Sequence, residues 1–202
     1  GATQPMVVAV ANDLPVKSIN ELIDYARGHP GKLSYATPGI GTPQHLATEW
    51  FMNMTGTQMV QVPYKGAAGI LTDLISGEVH VMFGALNSAV PFIRAGKIRA
   101  IGVAERQRLP QFKEVPTVSE SVPGYLQTHW YGLMAPAGTP DAILNKLSEE
   151  QRAIVSIPDV RERLARVGMD SNPSSAAEMR RKIASELEIW GKVVKDAGIQ
   201  RQ

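Results

Sequence analysis

Apolar and polar positions in the first half of the chain switch repeatedly between two periods. Met6–Ala11 is a continuous apolar run of strand length, and Ser18-Ile19-Asn20-Glu21 then opens a segment with Ile19, Leu22, Ile23 and Ala26 on one helical face. A Ser three residues before a Glu is a capping box, while Gly28 and Pro30 stop the helix. The alternation continues with a strand at Leu33–Thr37 and a helix in which Thr42 caps and Pro43 takes the first position, running through Leu46, Trp50 and Met54 to Gly56. Met59–Val62 reads as a strand, 67–76 as a helix and Val79–Phe83 as a strand. Gly84–Asn87 reads as a turn, 88–95 as a helix and Ile98–Val103 as a last strand. Strands alternating with helices across short loops predict an α/β fold with a mostly parallel sheet flanked by helices on both faces.

Beyond 105 the pattern changes. Pro110, Pro116 and Pro123 punctuate an irregular stretch, 128–136 is extended, and three helices follow. Thr139-Pro140-Asp141 starts the first, Pro158-Asp159 the second and a capping box at Ser175–Glu178 the third, whose stripe is Met179, Ile183, Leu187, Trp190 and Val194. One strand cannot make a sheet, so this tail is expected either to cover the α/β unit or to belong to a lobe whose other half lies elsewhere.

Composition narrows the chemistry. The 202 residues suit one or two domains, and 44% apolar with 20% charged residues is an ordinary globular mixture. Twenty-one basic against 19 acidic side chains leave +2, without the basic excess of a nucleic-acid binder. No apolar run is long enough to span a bilayer. The chain has no cysteine, which removes disulfides, thiol nucleophiles and thiolate metal sites. It begins at Gly1 without a basic segment leading into an apolar one, so any targeting segment is expected to lie outside this sequence.

In an open α/β sheet, ligands bind at the carboxyl ends of strands. Three loops qualify. In Thr37-Pro38-Gly39-Ile40-Gly41-Thr42-Pro43-Gln44-His45, two glycines permit close backbone approach and the helix start favours an anion. Thr37, Thr42 and His45 add hydrogen-bonding side chains. A plain strand-to-helix turn explains the same residues, and Gly39-x-Gly41 is neither a Walker loop nor a dinucleotide fingerprint. In Val62-Pro63-Tyr64-Lys65-Gly66, Tyr64 is a candidate contact and Lys65 reads as a solvated turn charge. In the third loop Gly84 permits close approach and Asn87 or Ser88 caps a helix. The four histidines have no metal-ligand spacing, and no nucleophile arrangement appears, so no cofactor, metal or catalytic residue is assigned. Of the loop residues only His45 is a candidate acid or base. Anion-friendly loops without a reactive group make the profile of a binder.

Taken together, several segments resemble the receptors of the tripartite tricarboxylate transporter family, also called Bug or TctC. They are Tyr35–Ala47, Val62–Gly66, Leu71–Val79, Ala95–Val103, Val115–Glu120 with Pro123-Gly124, and Trp130–Pro140, in the family's order. The resemblance implies a periplasmic solute-binding protein with two α/β lobes of the type II-like periplasmic-binding-protein fold, closing on small carboxylated molecules and delivering them to a membrane permease. By the family's pattern, residues 1–121 make the second lobe. Residues 122–202 supply a crossover strand and helices that return to lobe one, most of which has no counterpart here. Thr37, Gly39, Gly41, Thr42 and His45 carry over as half of a carboxylate clamp, with Ile40, Tyr64, Gly84 and Asn87 beside them. Where the family often has an acidic residue after the Phe of the third loop, this chain has Gly84, which disfavours a ligand amine. The C-terminal stripe is expected to seek a partner, a second copy of the chain being one candidate. An effector-binding or signalling domain, or an enzyme, on a related bilobal fold is the alternative.

Overall fold

The computed structural model describes residues 1–199 and divides into two compact units. One comprises Pro5–Thr128 with residues 193–199, the other Gly1–Gln4 with His129–Lys192.

The larger unit is the α/β part. Its strands are β2 (Met6–Ala11), β3 (Ser34–Thr37), β4 (Val60–Pro63), β5 (Val81–Ala85) and β6 (Ile98–Val103), arranged β4-β3-β5-β2-β6. β3 runs parallel to β4 and β5, while β2 runs antiparallel to both β5 and β6. Four strands therefore point one way, as the alternation predicts, and β2 opposes them.

Every residue of β2 is buried because helices cover both faces. Met6, Val8 and Val10 pack with Ile19, Leu22, Tyr35, Phe51, Phe83 and Tyr125 under α1 (Ile19–Gly28) and α2 (Pro43–Thr55). Val7, Ala9 and Ala11 face Ile70, Leu74, Leu86 and Ala89 from α3 (Ala67–Ser76) and α4 (Leu86–Arg94). The period of two in a strand thus sorts one apolar run into two cores. The helix starts behave as their side chains dictate. Ser18 Oγ accepts the Glu21 N–H at 3.2 Å, and Glu21 returns a bond to the Lys17 N–H at 2.7 Å.

Two expected boundaries move. Gly84 lies inside β5 opposite Val7, and Asn87 lies in the first turn of α4, where a turn over 84–87 is expected from sequence. The ladder with β2 continues to Met6↔Ala85, and the Leu86 N–H donates to Pro5 O at 3.0 Å, so the strand passes straight into the helix.

The smaller unit also corrects the count of strands in the tail. β1 (Ala2–Gln4) sits between β7 (His129–Tyr131) and β8 (Asp170–Ser171) in an antiparallel sheet of order β7-β1-β8. Pro5, which has no N–H to donate, separates β1 from β2. The helices α5 (Asp141–Ser156) and α6 (Pro158–Arg166) bury no residue, and Leu147, Ile154 and Leu187 of the apolar stripes are exposed. Leu187 belongs to α7 (Ala176–Asp196), whose start carries the expected reciprocal cap between Ser175 and Glu178. Among the described residues no helix is long and apolar enough to cross a membrane.

Candidate binding loop

The carboxyl ends of β3, β4 and β5 lie along one edge of the sheet, with Thr37 opposite Pro63. The chain leaves β3 there through Gly39 at φ 142° and Gly41 at φ 74°, backbone conformations that side chains other than glycine rarely adopt. A Cβ at either glycine would meet nothing within 4 Å, so these glycines are required by the backbone path rather than by crowding.

Thr37 is fully buried and anchors the loop. Its Oγ1 accepts from Gln61 Nε2 at 2.8 Å and from the Gly39 N–H at 3.3 Å. Thr42 caps α2, accepting the His45 N–H at 3.4 Å while its hydroxyl donates to Gly39 O at 2.7 Å. One side chain thus closes the helix start and the glycine turn together. Thr42→Ala removes both bonds and is expected to cost about 1 kcal/mol of stability, read as a lower urea midpoint at unchanged slope.

His45 is turned inward and buried. Its Nδ1 accepts the Gly41 N–H at 3.1 Å, and Nε2 lies 3.6 Å from Glu49 Oε1, which also accepts the Tyr35 hydroxyl at 2.6 Å. The Tyr35 and His45 rings stack with centroids 6.4 Å apart. Burial lowers the His45 pKa below the ordinary 6.5 against the opposing pull of the Glu49 carboxylate, which keeps the ring neutral and Nδ1 free to accept. Burial, then the bond to Glu49, pushes the Tyr35 hydroxyl well above its usual range, so it stays a donor. Glu49 and Gln61 are neighbours of the candidate residues that sequence reasoning missed. The i, i+4 spacing of His45 and Glu49 on α2 was a readable signal; the Gln61–Thr37 bond needs the parallel pairing of β3 and β4.

The remaining candidates sit around this loop. Ile40 stands at its tip, 56% exposed between the two glycines. The Tyr64 N–H donates to Thr37 O at 2.8 Å, joining the second loop to the first, but the Tyr64 hydroxyl is taken by Asp73 Oδ2 at 2.7 Å. Burial and that bond push its pKa up to about 12. Gly84 is buried in β5, where a Cβ would press on the Met82 side chain at 3.0 Å. Asn87 Oδ1 accepts the Ser88 N–H at 2.9 Å. The structure thus brings Thr37, Gly39, Ile40, Gly41, Thr42 and His45 into one turn with Tyr64 beside it, and places Gly84 in the neighbouring strand β5 and Asn87 in the first turn of the helix that follows it. With the Gly41 amide engaged by His45 and Pro43 lacking one, the amides of Ile40 and Gln44 are the loop's donors without an acceptor among the described residues. Among those residues no three His, Asp or Glu are grouped to hold a metal ion.

The comparisons agree with this architecture. The chain is 35% identical, over 96% of its length, to the UPF0065 protein in the tcbD-tcbE intergenic region of Pseudomonas sp., of which it covers 58%. It superposes on an R. palustris protein solved with adipate with a TM-score of 0.84 at 37% identity, covering 98% of this chain and 66% of that one. A Rhodopseudomonas palustris protein with bound malate, MatC, gives 0.80 at 28% identity over 96% of this chain and 67% of that one. The chain spans about 60% of the length of the curated relatives it matches. Residues 2–199 match the model of the tripartite tricarboxylate transporter family receptor, and the chain belongs to that family.

Proposed function

We propose that this chain forms the carboxylate-holding part of a periplasmic receptor, which captures a small organic acid by closure of two lobes and delivers it to a membrane permease. The observation that carries the reading is the Thr37–His45 turn at the carboxyl edge of the sheet. It offers backbone donors at a helix start, held by buried side chains, and no nucleophile beside them. A neutral His45 whose Nδ1 is already occupied is poorly placed to act as a base, which favours capture over turnover. Support also comes from the solute-binding relatives, one holding adipate and another malate.

The loop's side chains favour a ligand with a hydrocarbon body. Ile40 presents an apolar surface beside the donors, and Gly84 offers no carboxylate to pair with an amine. A plain dicarboxylate therefore fits better than an amino acid. In a thermal-shift assay on the full chain, adipate at ten times its Kd is expected to stabilise by about 1.4 kcal/mol, while glutamate leaves the melting temperature unchanged. Stabilisation by glutamate alone would sink the ligand assignment, and enzymatic conversion of any bound acid would sink the receptor reading.

A further inference from the structure

The His45 side chain is absorbed into the loop rather than displayed by it, and this gives it a separate task. We infer that His45 is the positioning residue of the turn: by accepting the Gly41 N–H it selects which amides face an acid, and protonation of its ring releases that selection. The inference rests on the receptor reading for its consequence in binding, though not for its geometry.

Three contacts fix the ring. Nδ1 faces the Gly41 amide at 3.1 Å, Nε2 faces Glu49 Oε1 at 3.6 Å, and Tyr35 stacks alongside while donating to the same carboxylate oxygen at 2.6 Å. Two titratable groups therefore face the imidazole, Glu49 from its own helix and Tyr35 from β3. Because Nδ1 accepts the Gly41 N–H, a neutral ring carries its proton on Nε2, on the side of the Glu49 carboxylate charge 3.6 Å away. A peptide N–H can then donate inward at a φ of 74°, which glycine adopts without strain. An imidazolium carries a proton on both nitrogens, so Nδ1 would face the Gly41 donor with a donor of its own. The amide must then swing out, and the positive-φ turn loses the bond that holds it.

The sign follows from the direction of the shift. Burial sets the His45 pKa in the fold below its ordinary 6.5, with Glu49 opposing. A group lowered on folding contributes stability that is fully present above the unfolded value and fades as pH falls below it. The held state of the turn therefore belongs to neutral and alkaline solution, and acid loosens it.

Nitrogen-15 NMR of the full chain between pH 5 and 8 reads this without any ligand. At pH 7.5 the His45 ring should be protonated on Nε2 only, with the Gly41 amide slow to exchange, and both signals should move together as pH falls. H45N, whose side-chain oxygen replaces Nδ1 and does not titrate, should keep the amide protected and abolish its acid response. H45L should leave it unprotected at every pH, with adipate bound about tenfold more weakly at pH 7.5, a loss that H45N largely restores. A protonated Nδ1 at neutral pH, a Gly41 amide unaffected in H45L, or an unchanged acid response in H45N would each overturn the inference. If the Gly41 amide follows His45 while neither adipate nor malate binds, the positioning role stands and the receptor reading falls.

Discussion

Phe83→Ala is expected to lower the unfolding free energy by about 3–5 kcal/mol, the largest loss that any single truncation in the sheet should produce. Phe83 lies at the centre of β5, opposite Val8, with no exposed surface. Its ring is 5.3 Å from Phe51 on α2 and 6.4 Å from Tyr125, and those two meet edge-on at 6.0 Å. Three ring pairs therefore share one site and link the sheet, a helix and the segment leading out of the unit. Aromatic pairs stabilise by their geometry as well as by burial, so the truncation removes apolar area, ring contacts and packing density at once. Tyr125 cannot slide in to fill the gap, because its buried hydroxyl donates to Ala47 O at 3.0 Å. Urea titration of the two proteins supplies the measurement. A loss below about 1 kcal/mol at unchanged slope would mean that the cavity collapses and the aromatic cluster is not the keystone of this core. Phe83→Leu, which keeps most of the volume, should cost less than half as much.

The period of the apolar residues made this core legible. Alternate residues of Met6–Ala11 divide between two covered faces, and the stripe Ile19, Leu22, Ile23 and Ala26 is buried as its spacing requires. Caps at Ser18, Thr42 and Ser175 were readable because a side chain three residues from its partner amide leaves a local signature. Contacts between distant segments leave none. Nothing local announces that three residues at the start of the chain form a strand between segments near 130 and 170, so the second sheet was invisible. The extension of β5 through Gly84 was hidden for the same reason: a glycine reads as a turn until a partner strand is known to lie beside it. His80 accepts the Ser34 N–H on Nδ1 at 3.0 Å, a contact between residues 46 apart that no local spacing announces. In the candidate loop the residue types were visible but their directions were not. Spacing shows that His45 is near Gly41; only the fold shows that the ring faces inward and takes its amide.

That distinction between types and directions makes Gly41→Val the sharpest test of the loop. The substitution should cost about 1–3 kcal/mol, the strain of holding a β-branched residue at positive φ. No atom beyond its chain neighbours lies within 4 Å of where the new Cβ would stand, so the Cβ itself meets no clash and the cost expected is chiefly torsional. Where that cost appears is informative. If the bonds from Thr42 to Gly39 and from Gly41 to His45 hold the turn, it stays in place and the unfolding free energy falls by the full amount. If the turn relaxes to negative φ instead, global stability recovers, but the amides of Ile40 and Gln44 swing away from their present directions. Affinity for adipate should then drop by about 10- to 100-fold, since 1.4 kcal/mol corresponds to one decade. The stability loss and the affinity loss are therefore expected to trade against each other, with a sum near the torsional strain. Urea denaturation and calorimetric titration of the same preparation give the two numbers. A variant that keeps both its stability and its affinity would show that the positive-φ turn does not determine the proposed hold on an acid.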